Sequence, residues 1–232
     1  MALTKAKSNW YNNLSDFDLV DDFTASNSPL ILTADSRTTG FGAAQSAVSD
    51  APRAGVWLAQ TAAGTTGASG FGGSSSYVFS SWQRLSIAAN FRITTLADGT
   101  DSYRIFLGFN SSYDSTTNPI TRSAGLLYSN ASANWQAITY NLSTGTSTDT
   151  GVAAVAGGIY NTYCVRVNGT SSVQFFINDV LVATNTTNIP TTTFTNPFLA
   201  IAKTAGTNSR SFFCDWIRFS GSGSSRSLGV SA

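Results

Sequence analysis

The sequence predicts an all-β fold arranged as an antiparallel two-sheet β-sandwich, and three observations carry that expectation. The first is composition. Only 11% of the 232 residues are charged, against about 25% in ordinary soluble domains. Ser, Thr, Asn and Gly take their place. All twelve acidic residues are Asp, and only Lys5, Lys7 and Lys203 are lysines. The strong helix formers Glu and Lys are therefore nearly missing, while Thr, Val, Ile, Phe and Tyr favour strands. The second observation is period-two alternation, which puts one face of a segment inward and the other outward. The third is the regular recurrence of short apolar runs separated by turn residues, with no helical stripe.

In chain order, residues 1–20 read as an N-terminal arm or first strand carrying Trp10, Tyr11 and Phe17. "SPLILTA" reads as a short strand, and "AGVWLAQT" as another. The Gly/Ser-rich stretch from Gly64 to Ser76 reads as a loop. In "RLSIAANFRI" the residues Leu85, Ile87, Ala89, Phe91 and Ile93 share one face. "ADGTDS" is a turn centred on Asp98-Gly99, and "YRIFLGF" returns with Tyr103, Ile105, Leu107 and Phe109 on one face. "AGLLYSN" and "WQAITYNLST" add two strands joined by a polar turn. Asn168-Gly169 and Asn178-Asp179 mark two hairpin turns, because these residues tolerate positive φ. "NPFLAIAK" and "SFFCDWIRF" form the last pair around a turn at 204–209, with Trp82 and Trp216 expected in the core. The sandwich is expected to span 21–221, and 222–232 to be a loose tail.

Composition and motifs also exclude function classes. The net charge is +1 and the ten Arg are scattered singly, so the sequence shows no basic patch for nucleic acid. No apolar run is long enough for a membrane span. No signal-peptide pattern follows the opening lysines, so synthesis in the cytoplasm is expected. There is no His, which removes the usual base of Ser and Cys nucleophiles. Several N-x-S/T triplets are what an Asn- and Thr-rich chain contains by chance. Cys164 and Cys214 are read as reduced thiols, with a disulfide between them as the alternative.

The stretch "VQFFINDVLVATNTTNIP" followed by "NPFLAIAKTAGTNSRSFFCDWIRF" resembles the closing half of a concanavalin A-like, laminin G-like jelly roll. The "KTAGT" segment and the final "DWIR" strand resemble modules of tailed-bacteriophage virion proteins, such as fibres and head-decoration proteins. The resemblance implies a non-enzymatic virion structural protein that decorates or cements the capsid, or forms a surface fibre or knob. It implies virion partners in capsid or tail, a virion-surface location, and homo-oligomerisation with a trimer as the suggested form. The alternative is a carbohydrate-binding, lectin-like module for host attachment.

Site expectations follow. A glycan or subunit interface is expected to use Tyr113, Asn118, Tyr128 and Trp135, placed on or near loops. No cofactor is required. Calcium is the one metal considered, with oxygen ligands from Asp98, Asp101 and Asp114. Glucanases of the same fold need paired carboxylates. This chain offers only the Asp16, Asp18, Asp21 and Asp22 cluster, read as a solvated edge.

Overall fold

The computed structural model describes residues 16–23, 32–34, 45–50, 53–65, 67–73, 84–110, 122–191 and 196–222. Among them are fifteen strands and no helix, so none is long and apolar enough to cross a membrane. They are β1 (Asp16–Asp21), β2 (Leu32–Ala34), β3 (Gln45–Asp50), β4 (Arg53–Gln60), β5 (Gly67–Gly73), β6 (Arg84–Ile93), β7 (Tyr103–Asn110) and β8 (Arg122–Ser129). The remainder are β9 (Ser132–Asn141), β10 (Thr144–Ala153), β11 (Asn161–Asn168), β12 (Ser172–Ile177), β13 (Val180–Asn185), β14 (Asn196–Lys203) and β15 (Ser211–Ser222).

Two antiparallel sheets result. Sheet I runs β13-β12-β11-β6-β15-β4-β3, with β1 also on β15; sheet II runs β10-β9-β8-β7-β14-β5-β2. The expected inward set of β6 is buried throughout: Leu85, Ile87, Ala89, Phe91 and Ile93. So is that of β7: Tyr103, Ile105, Leu107 and Phe109. These residues and their partners from β8, β9, β11, β12, β14 and β15 form one core between the sheets. Trp135 of β9 joins the two layers, with ring centroids 4.6 Å from Tyr163 and 6.0 Å from Phe91. Phe91 and Tyr163 are themselves stacked at 4.4 Å.

One irregularity keeps β15 in phase. Phe212 and Cys214 face inward, and so do Ile217 and Phe219. That parity change needs an extra residue, and the ladder with β6 shifts between Cys214 and Trp216. Asp215 is the bulged residue. Without it, Trp216 and Arg218 would turn into the core. The same bulge separates the part of β15 that pairs with β4 from the part that pairs with β1. Trp216 ends up half-buried on the outward face rather than in the core.

Three strands escape the sequence reading. β3 and β10 lack apolar alternation, and β5 was expected to be loop. β10 alternates Thr146, Thr148 and Thr150 with Ser147 and Asp149, and its polar face closes the seam between the sheets. There Thr148 Oγ1 donates to Asn185 Oδ1 at 2.8 Å, and Asn185 Nδ2 donates to Ala137 O at 3.1 Å. β5 is glycine-rich because it lies tight against β14: a Cβ on Gly70 would collide with Leu199 O and Ala200. The absence of side chains is what the packing requires there.

The β12–β13 turn has φ of 51° at Asn178 and 64° at Asp179, the pattern of a type I′ turn. Asn178 is also tied to β11: its N–H donates to Thr162 O at 2.7 Å, its Oδ1 accepts from Thr162 N at 2.9 Å, and its Nδ2 donates to Asn161 Oδ1 at 2.8 Å. Two substitutions with the same backbone benefit should therefore diverge. Asp179→Gly is expected to stabilise by about 0.5–1 kcal/mol, through release of left-handed strain. Asn178→Gly is expected to destabilise by about 1–2 kcal/mol as its side-chain bonds are lost. Urea unfolding midpoints of the two variants check this directly.

Candidate functional site

The residues expected to bind ligand are distributed very differently from the expectation. Tyr128 and Trp135 are 3% and 1% exposed, and both belong to the core. Each lies on the inward face of its strand, so neither is a surface platform. The Tyr128 hydroxyl accepts from Ala97 N at 3.0 Å, and Tyr103 Oη donates to Thr95 O at 2.5 Å. Burial pushes both phenols above their ordinary range. Tyr113, Asp114 and Asn118 lie outside the described residues.

Asp98 and Asp101 are met by the protein's own cations. Arg210 Nη2 donates to Asp98 Oδ2 at 3.0 Å and to Asp101 Oδ2 at 2.9 Å. Lys203, fully buried, places Nζ 3.9 Å from Asp101 Oδ1 and donates to Asn208 O at 2.5 Å. Asn208 donates to Asp101 twice, from Nδ2 at 2.6 Å and from N at 3.0 Å. The "KTAGT" segment thus owes its sequence to this lock. Lys203 and Arg210 neutralise a buried carboxylate, and a Cβ on Gly206, at φ 92°, would strike Asp101. No group of three metal-binding side chains occurs among the described residues. Hydrogen bonds from Asn208 and the charges of Arg210 and Lys203 hold the Asp101 carboxyl below its usual range. Backbone donors Asp101 N and Thr100 N do the same for Asp98.

Cys164 and Cys214 are free thiols. They lie on β11 and β15, which flank β6 without touching: Cys164 pairs with Ala88, and Cys214 with Phe91. Cys214 is buried, which pushes its thiol well up. Cys164 is half-buried on the outward face, 3.5 Å from Ser86 Oγ.

The arrangement best suited to a ligand was missed in the sequence. It is the outward face of sheet II. Cross-strand rows there are Ala200–Phe106–Leu127–Gln136–Asp149 and Phe198–Gly108–Gly125–Ile138–Ser147. Gly145 pairs with Tyr140 in the next row. Phe106, Ile138, Phe198 and Ala200 form a small buried cluster, with half-buried Leu127 and Tyr140 packed on it. The Phe106 ring lies over Gly125 and the Tyr140 ring over Gly145, each occupying the space a Cβ would need. Along the strands from Tyr140, past Ile138, runs a polar row. Ser147 Oγ donates to Gln136 Oε1 at 3.3 Å, and Gln136 Nε2 donates to Ser132 Oγ at 3.0 Å. Asn134 Nδ2 donates to both Asp149 oxygens at 3.0 and 3.2 Å. Gly151 N and Asn134 hold the Asp149 carboxyl below its usual range, so it stays a pure acceptor. The signal for this face was present: if Trp135 points inward, alternation sends Gln136 and Tyr140 outward.

Carboxylate geometry bears on hydrolysis. Asp18 faces outward and pairs with Arg218, with Arg218 Nε 2.7 Å from Oδ1 and Nη2 2.6 Å from Oδ2. Asp21 faces inward, is buried, and accepts from Phe23 N at 2.9 Å. The two lie on opposite faces of sheet I and cannot flank one glycosidic bond.

The Asp101 lock has a definite pH signature. Its native pKa lies below the ordinary carboxylate value of about 4, so its stabilisation is present above that pH and lost as pH falls through the lower native value. Asp101→Asn should therefore lower the thermal midpoint clearly at pH 7. The deficit relative to wild type should shrink as pH falls below the ordinary carboxylate range, which unfolding scans across pH will read.

Comparison with known proteins follows the fold. No curated protein matches the chain in sequence. Among solved structures, a protein of unknown function, SO2946 from Shewanella oneidensis MR-1, superposes with a TM-score of 0.63 at 14% identity, covering 90% of this chain and 87% of that one. A Bacteroides ovatus mixed-linkage glucan GH16 protein gives 0.58 at 11% identity, covering 87% and 99%. Peanut lectin gives 0.54 at 10% identity, covering 89% and 97%. These likenesses establish a concanavalin A-like jelly-roll sandwich. Nothing in the relatives' names connects the chain to a virion, so the phage part of the resemblance gains no support from them. The SO2946-like, C-terminal domain family matches residues 52–215, more than half of the chain, and the protein belongs to that family.

Proposed function

We propose that the protein is a non-catalytic, lectin-like carbohydrate-binding module whose ligand lies on the outward face of sheet II, beside β9 and β10. The observation that carries this is Tyr140, half-buried across Gly145, with Ser147 in the next outward row, Gln136 in the row after it and the Asn134–Asp149 pair beyond, a line of groups of oligosaccharide length. A sugar ring presents an apolar C–H face and equatorial hydroxyls. An aromatic ring fits the first, while amide and carboxylate groups fit the second. The fold hosts glycan binders such as peanut lectin, which supports the reading. Catalysis is not part of the reading. Asp18 and Asp21 face apart, and Asp98 and Asp101 are both engaged by Arg210.

A glycan array with the whole chain tests the reading. Wild type should retain a defined set of neutral glycans. Tyr140→Ala should weaken that binding about tenfold, roughly 1.4 kcal/mol, and Gln136→Ala severalfold, with unfolding midpoints near wild type. A blank array, or binding indifferent to both variants, rejects this site. Incubation with mixed-linkage glucan should release no reducing ends; steady release would overturn the non-catalytic assignment.

A further inference from the structure

The opposite side of the sandwich carries a second surface of different chemistry. Arginines scattered in sequence come together on the outward face of sheet I. Cross-strand rows are Gln174–Arg166–Ser86–Ser220 and Phe176–Cys164–Ala88–Arg218. Arg84 follows one step along β6, opposite Asn168 and Ser222. Arg84, Arg166 and Arg218 are exposed, whereas Ser86, Ala88, Cys164 and Ser220 between them are small and half-buried. The result is a shallow trough along β6 with a floor of short side chains and guanidinium groups around it. From strand spacing, the three arginine Cα positions stand about 8, 12 and 14 Å apart.

β1 adds acid at the β15 end of these rows, with Asp16 opposite Ser222 and Asp18 opposite Ser220, while Arg84 and Arg166 stand on the β6–β11 side. Among the described side chains, the acid facing the trough is Asp18, which forms the exposed bidentate pair with Arg218. No carboxylate among the described residues pairs with Arg84 or Arg166. Arg166 is held in place by stacking, with its guanidinium carbon 4.5 Å from the Phe176 ring centroid. Stacking leaves the in-plane N–H donors of the guanidinium free to meet an anion. Arg92, further along β6, stacks 4.2 Å over Phe213 and donates from Nη1 to Gly157 O at 3.1 Å.

We infer that this trough binds a linear anionic polysaccharide carrying sulfate or carboxylate groups. Charge complementarity sets the sign of the ligand. The rest of the surface separates a polysaccharide from a nucleic acid. Single-stranded nucleic acid is held by bases stacked on open aromatic faces, whereas Phe176 and Phe213 are covered by Arg166 and Arg92, and half-buried Trp216 lies beyond Arg218, at the end of the trough away from Arg84. The floor instead offers the hydroxyls of Ser86 and Ser220 to sugar hydroxyls. This inference does not depend on the Tyr140 face, which lies on the other sheet.

The test uses the whole chain titrated with dextran sulfate, with neutral dextran of equal length and a single-stranded DNA 20-mer as comparators. Wild type should bind dextran sulfate, leave dextran unbound, and weaken as salt rises. The double variant Arg84→Ala/Arg166→Ala should weaken binding at least tenfold. Asp18→Asn should tighten it severalfold by releasing Arg218, a gain that misfolding cannot imitate. Tyr140→Ala should leave it unchanged. The inference is overturned if the arginine and Asp18 variants both bind as wild type does, if Tyr140→Ala abolishes binding, or if the DNA binds as tightly as dextran sulfate.

Discussion

Alternation along β6 is the constraint from which most of this molecule follows. β6 is the central strand of sheet I, paired with β11 on one side and β15 on the other. Its inward residues Leu85, Ile87, Ala89, Phe91 and Ile93 supply one wall of the core. Its outward residues Arg84, Ser86, Ala88 and Arg92 supply the floor and ends of the cationic trough. A slip of one residue would exchange these two sets, burying two arginines and exposing Phe91. Burying unpaired guanidinium groups is so unfavourable that the register has no near competitor. The Asp215 bulge serves the same end, since it lets β15 present Cys214 and Ile217 to one core although they stand an odd number of positions apart.

The two sheets are joined by chemically different devices at different places. In the middle, Trp135, Phe91 and Tyr163 bury large aromatic surface across the interlayer space. At the end formed by the β6–β7 and β14–β15 connections, Asp101, Lys203, Arg210 and Asn208 tie loops that are remote in sequence. Burying such charges is tolerable because the Asp101 carboxylate meets both cations and two Asn208 donors. At the β10–β13 seam, uncharged Thr and Asn side chains close the gap. Among the described residues, the buried charges other than Asp21 are gathered in this lock, and most polar contacts are left to hydroxyls and amides.

The same economy shapes the outward faces. Sheet II carries glycines where aromatic rings cross neighbouring strands, so Phe106 and Tyr140 lie close against the backbone, and a polar row runs along the strands from Tyr140. Sheet I carries arginines whose flat guanidinium groups rest on phenylalanines. One face carries an aromatic ring with a polar row along its strands and the other carries guanidinium groups, and the difference arises from which residues alternate outward on β9–β10 and on β6–β11–β15.

The sequence by itself determined the all-β class, most strands from β6 onward, the hairpin turns at 168–169 and 178–179, and the inward sets of β6 and β7. These are local properties: period-two alternation and turn residues act over a few positions. It also carried the resemblance that led to the jelly roll. What it did not carry is which strand lies beside which. β5 and β10 were obscure because their residues are chosen for tight packing against a neighbour or for a polar seam, and β3 because its sequence lacks apolar alternation. Tyr128 and Trp135 sat near predicted loops, but the face of each strand decides exposure, and that face is fixed only when the sheets close. Asp98 and Asp101 could be read as calcium ligands until folding brought Arg210 and Lys203 against them from more than a hundred residues away. The arginines looked scattered for the same reason: a β-sheet assembles its surfaces across strands, and sequence distance says little about cross-strand distance.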